Sequence, residues 1–173
     1  MDIGTQNLLK QAGTHQMPEA QLDRFLIRTS VGHPDPEAAL AILAAVGTRA
    51  GRPVMTPMLT PAAVANLVDQ AARVYVDTSI MRYIAAVVAA TRTADGVTLG
   101  VSQRGAIALL RTARTLAASR SRHFVVPDDV KSLAEPVLAH RISIDPEAEY
   151  GGLTAADVVR DVLQRVPPPR GQA

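Results

Sequence analysis

The chain has 173 residues, 47% of them apolar and only 3% aromatic, with no cysteine and no tryptophan. This is enough for one globular domain with an aliphatic core, it excludes a disulfide frame or thiolate metal site, and the lack of cysteine suits the cytoplasm. No apolar run approaches the roughly twenty residues of a membrane span, and a net charge of +2 carried by dispersed arginines argues against a nucleic-acid patch.

Residues 1–6 read as the end of a strand leading to Asn7, and residues 8–16 as a polar loop. Residues 18–25 suit a short helix with Pro18 in its first turn, and residues 25–31 a strand. Gly32-His33-Pro34-Asp35-Pro36 is a break that sets a domain boundary. An apolar helix over 37–46 follows, with Asp35 as N-cap and Gly47 as stop. A proline-rich connection over 51–59 leads to a helix that runs to about residue 73, with Thr60 as cap and Pro61 at its first position. Residues 74–76 are extended. Asp77 caps the next helix, which carries Ile80, Met81, Ile84, Val87 and Val88 along one side and ends at the Asp95-Gly96 turn.

The central helix covers residues 102 to about 122. Ala106, Leu109, Leu110, Ala113, Leu116 and Ala117 recur on one face, and that stripe is expected to be buried. Ser102 is placed to cap it by accepting from a first-turn N–H. Arg104 lies in the first turn, off the stripe, where a cation opposes the helix dipole. It is either a solvated side chain or, with the N-terminal N–H groups, one wall of an anion site. Residues 124–126 are extended, and a helix over 127–138 begins with the dipole-complementing Asp128 and Asp129. Pro136 is expected to kink it or end it early. Residues 140–145 are loop or short strand, and Thr154 caps a final helix to residue 166, stopped by Pro167-Pro168-Pro169.

The histidines at 15, 33, 123 and 140 are scattered without metal-ligand spacing and read as surface or loop residues. Ser102 has no nearby histidine and acid to make it a nucleophile. Met55, Met58 and Met81 read as core filler.

Four segments in order carry a resemblance: Gly4-Thr5-Gln6-Asn7; Leu22-Asp23-Arg24-Phe25 followed by Gly32-His33-Pro34-Asp35; Ser102-Gln103-Arg104-Gly105; and Phe124-Val125-Val126-Pro127-Asp128-Asp129-Val130-Lys131. Together they resemble the C-terminal part of a MoxR-type AAA+ ATPase. The resemblance implies a mainly α protein, a helical lid bundle preceded by a short remnant of an α/β ATPase core. It implies boundaries at 1–33 for the core remnant, 34–145 for the lid and 146–173 for a C-terminal helix and proline-rich tail. Asn7 matches the sensor-1 residue that orients the attacking water. Arg24 matches the arginine finger, serving the neighbouring subunit's nucleotide, and Arg104 matches the sensor-2 arginine, serving its own. Leu8 stands where the family usually has proline.

The family uses ATP and Mg²⁺, forms homo-oligomeric rings that remodel or mature partner proteins, and often works with a von Willebrand A-domain partner. This chain has neither the Gly-x-x-x-x-Gly-Lys-Ser/Thr phosphate loop nor an apolar run ending in Asp-Glu. It is therefore expected to be a truncated product or a fragment of a longer protein, and to be inactive alone. The alternative is a non-catalytic helical protein-interaction module.

Overall fold

The computed structural model describes residues 3–5, 19–46 and 56–169. These form helices α1 (Glu19–Leu22), α2 (Pro36–Val46), α3 (Pro61–Ala72), α4 (Thr78–Arg92), α5 (Gln103–Ser119), α6 (Pro127–Leu138), α7 (Pro146–Tyr150) and α8 (Ala155–Arg165). Strands β1 (Val97–Leu99) and β2 (Ser143–Ile144) and a 3₁₀ turn at Ala139–Arg141 complete the order.

Most helix starts follow local side-chain chemistry. Asp35 accepts from the Ala38 N–H at 2.7 Å, Thr60 from Ala63 at 3.2 Å and Asp77 from Ser79 at 2.8 Å. α8 opens with a reciprocal pair: the Thr154 hydroxyl accepts from the Asp157 N–H at 3.1 Å, and Asp157 accepts from the Thr154 N–H at 3.0 Å.

The core lies where α4, α5, α6 and α8 meet. It is built from small aliphatic side chains, among them Val87 on α4, Leu109 and Ala113 on α5, Val130 and Val137 on α6, and Val159 and Val162 on α8. The stripe expected on α5 is the face that packs inward. Two ties link distant segments around this core. β1 pairs antiparallel with β2, with Val97 opposite Ile144 and Leu99 opposite Ser143. Tyr75 forms a parallel bridge to Phe124, its N–H reaching the His123 carbonyl at 2.9 Å. Gly96 enters β1 at φ 72°, a left-handed conformation that favours glycine, and its carbonyl accepts from the Asp145 N–H at 2.8 Å.

The structure differs from the sequence reading in several places. Residues 25–31 form no strand: among the described residues no neighbouring strand offers them a ladder, and the Arg28 N–H donates to the Pro136 carbonyl at 2.9 Å instead. The short helix at 18–25 ends at Leu22, in a turn closed by the Arg24 and Phe25 N–H groups. α6 runs past Pro136 to Leu138, so the proline does not end the helix early. Met58 and Met81 are exposed rather than core filler. Met55, Gly47 and residues 6–18 lie outside the described residues. α2 and α3 present Leu40, Ile42, Leu43, Val64, Leu67 and Val68 to solvent, and no residue of α3 is buried. No described helix is long and apolar enough to cross a membrane.

One acid holds the α5–α6 corner. Asp129 is fully buried and takes donors from Arg122 at 2.5 and 2.8 Å, Arg120 at 3.3 Å and the Val126 N–H at 3.0 Å. Burial alone would raise its pKa. The Arg122 hydrogen bonds, the Val126 N–H and the charges of Arg122 and Arg120 outweigh burial and hold the carboxyl below the ordinary aspartate value. A carboxyl depressed in the folded state stabilises the fold above the unfolded value of roughly 4, and that stabilisation is lost as pH falls through the folded value. Asp129→Asn should lower stability by about 2–4 kcal/mol at neutral pH. It should also flatten the loss of stability below about pH 4. Urea unfolding of both proteins across pH checks both outcomes; equal midpoints would show that the cluster contributes nothing.

Candidate functional site

The site forms where the turn after α1 meets the start of α5. Ser102 has the extended backbone of an N-cap, but its hydroxyl caps no N–H of the first turn. It points instead to the Asp23 carboxylate, at 3.4 and 3.5 Å from the two oxygens. In place of the expected local cap, the hydroxyl makes a long-range contact to an acid 79 residues away. Arg104 follows on the first turn of α5, its side chain 62% exposed and its Nη1 at 3.9 Å from Asp23 Oδ2. Arg24 and Arg104 line one cavity of about 210 Å³, with Arg111 about two helical turns further along α5 and Leu26, Ile107 and Ala108 as its apolar wall. The structure therefore brings together two of the three residues singled out in the sequence. The third, Asn7, lies outside the described residues.

Arg141 closes the floor of this cavity. Its side chain is only 2% exposed. Nε donates to the Val137 carbonyl at 2.8 Å, Nη1 to the Asp23 carbonyl and carboxylate at 2.6 Å each, and Nη2 to the Phe25 carbonyl at 2.5 Å. A buried guanidinium needs this saturation, since an unpaired charge in the interior is strongly destabilising. The arrangement ties residues 23–25 to the end of α6. Next to it His140, read as a surface or loop residue, is buried, with Nε2 at 3.1 Å from the Phe25 carbonyl. Burial pushes its pKa below the ordinary histidine value, against the Phe25 carbonyl and with help from the charges of Arg141 and Arg28. The neutral Nε2–H tautomer suits that contact.

Arg141, Asp23 and His140 escaped the sequence reading because their partners lie more than a hundred residues away. One signal was present. Gly105 lies inside an amphipathic helix, where glycine is unfavourable and often marks a close approach. A Cβ at Gly105 would sit 2.3 Å from Val101 Cγ1 and 3.2 Å from Arg141 Cδ. The glycine makes room first for the Val101 side chain and then for the arginine stem.

Guanidinium groups suit phosphate oxygens, and one acid among four arginines leaves the cavity wall positive. The donor set thus fits the phosphate end of a nucleotide. No group of three or more His, Cys, Asp or Glu side chains that could hold a metal ion stands together among the described residues.

The helical bundle defines the class of protein. Residues 89–162 match the AAA lid domain family. The chain is 36% identical over 167 residues to the YeaC protein of Bacillus subtilis, covering 96% of this chain and 52% of that one. It is 32% identical over 180 residues to "Chaperone MoxR1" of Mycobacterium tuberculosis, covering 99% and 47%. A crystal structure from Cytophaga hutchinsonii, of a protein described as an inferred ATPase, superposes with a TM-score of 0.83 at 29% identity over 95% of this chain and 53% of that one. The chain spans about half the length of the curated relatives it matches. It belongs to the MoxR-type AAA+ family and corresponds to the family's C-terminal region.

Gly105→Ala tests the packing beneath the site. Alanine favours the helix by about 1 kcal/mol, but the buried Val101 leaves its methyl no space. A net loss of about 1–3 kcal/mol is expected, as for other overpacked cores. Thermal or urea unfolding measures it, and a gain in stability would contradict the close approach.

Proposed function

We propose that the chain is the lid-bearing part of an ATP-hydrolysing, ring-forming MoxR-type machine, and that Arg24 and Arg104 both address the phosphates of one bound ATP. The observation that carries this reading is the single cavity lined by both arginines, with Arg111 beside them. One cavity for both favours a common nucleotide over the division of roles between subunits that the resemblance implies. An arginine there stabilises the charge that spreads over the transferring phosphoryl group. Asn7 is assigned to orienting the attacking water, a task for which a side-chain amide can both donate and accept.

In this reading residues 1–33 are the end of the α/β core and the lid begins at residue 34. The nucleotide is ATP with Mg²⁺, and the subunits assemble into a homo-oligomeric ring in the cytoplasm. The ring remodels or matures partner proteins and works with a von Willebrand A-domain partner. The chaperone name of the M. tuberculosis relative supports the remodelling role. The absence of a phosphate loop from this sequence supports inactivity of the chain by itself.

A second reading, a helical protein-interaction module without catalysis, is favoured by the exposed apolar side chains of α2 and α3.

In a complete MoxR-type subunit carrying this C-terminal region, Arg24→Ala and Arg104→Ala should each lower kcat by at least ~100-fold. Rings mixed with subunits that lack a working phosphate loop but keep both arginines should treat the two variants alike, restoring both or neither. Restoration of only one would overturn the common site. Full turnover in both variants would leave the interaction module as the better reading.

A further inference from the structure

The cavity at the start of α5 contains its own anion. Asp23 is the one acid among its lining residues, beside Arg24, Arg104, Arg111 and Arg141. Its two oxygens serve unequal partners. Oδ1 is 2.6 Å from Nη1 of Arg141, a side chain 2% exposed, and Oδ2 is 3.9 Å from Nη1 of Arg104, a side chain 62% exposed. The first is a short charge-assisted hydrogen bond to a buried guanidinium. The second is longer than a hydrogen bond and is a solvated ion pair.

Arg141 also holds the Asp23 carbonyl at 2.6 Å and the Phe25 carbonyl at 2.5 Å, so the backbone carrying the carboxylate is fixed as well. Asp23 cannot follow Arg104 if that side chain swings; Arg104 can leave Asp23 at little loss. The Ser102 hydroxyl, turned toward the same carboxylate, leaves the first turn of α5 without a side-chain cap.

We propose that Asp23, fixed by Arg141, is the built-in counter-ion of the phosphate site: it holds Arg104 when no nucleotide is bound, and an incoming phosphate displaces it from Arg104. This rests on the reading that Arg104 meets phosphate. Asp23 is a positioning residue here, and Arg141 positions Asp23. The competition keeps the arginine aimed at the cavity and weakens phosphate binding by the strength of the pair it must break.

The 173-residue chain and inorganic tripolyphosphate test this directly. Asp23→Asn keeps an acceptor for Arg141 and removes the charge that competes for Arg104. Calorimetry should find tripolyphosphate bound about two- to fivefold more tightly, the scale of an exposed ion pair. Adding Arg104→Gln should erase that gain, whereas a purely structural Asp23 would give a loss in both backgrounds. Unchanged or weaker binding by a folded Asp23→Asn protein overturns the proposal.

The wild-type chain gives an answer even if the variant does not fold. In an NMR titration with tripolyphosphate, the Arg104 side-chain Nε–H and the Asp23 carboxyl carbon should shift together along one isotherm while the Arg141 Nε–H stays in place. An Arg104 shift with an unmoved Asp23 carboxyl sinks the counter-ion alone. No Arg104 shift at all removes the phosphate reading and this proposal with it.

Discussion

A guanidinium buried in a protein must find an acceptor for its N–H groups and a negative charge nearby, or it will not stay buried. Arg141 meets that demand with three backbone carbonyls and one carboxylate. Much else is arranged around it. Gly105, kept bare chiefly by Val101, also lets its stem pass close by. Asp23 and Phe25 give up their carbonyls to it, which removes them from any sheet pairing. The turn after α1 is thereby fixed against α5, so that Arg24 and Arg104, 80 residues apart in sequence, share one cavity.

Among the described residues Asp129 and Asp23 are each shared by two arginines, and the difference between them separates structure from chemistry. Asp129 is fully buried, and its donors fill both oxygens. The Arg122 guanidinium and the Val126 N–H enclose it, and only Arg120, 54% exposed, stands at its edge. Asp23 is 28% exposed, one side locked and the other facing an open cavity. The same pairing of residue types thus makes a fixed joint in one place and an exchangeable contact in the other, and accessibility decides which.

Local signals in the sequence were read well, and non-local ones were not. Thr60, Asp77 and Thr154 announce their helices through hydroxyl or carboxylate groups beside an apolar period, and each caps the helix it precedes. The stripe on α5 is legible for the same reason. Ser102 has the same local signature, yet its hydroxyl turns to an acid 79 residues away. Residues 25–31 carry a strand's composition but lack a partner among the described residues, and β propensity without a neighbour makes no strand. β1, β2 and α7 are two to five residues long, too short for any periodicity to register. For the site, the family pattern pointed to Arg24 and Arg104. The buried Arg141 beneath them has no sequence signature beyond a glycine out of place.

The core's small side chains have a mechanical consequence. Valine and alanine dominate it, with eleven and six of the described buried apolar positions, and Tyr83 is its one aromatic ring. A valine has one stiff side-chain torsion and an alanine none, so such a core has few alternative packings to slide into. Strain applied at one end is not absorbed by rotamer changes in the middle. The four-helix body thus transmits displacement as a lever does.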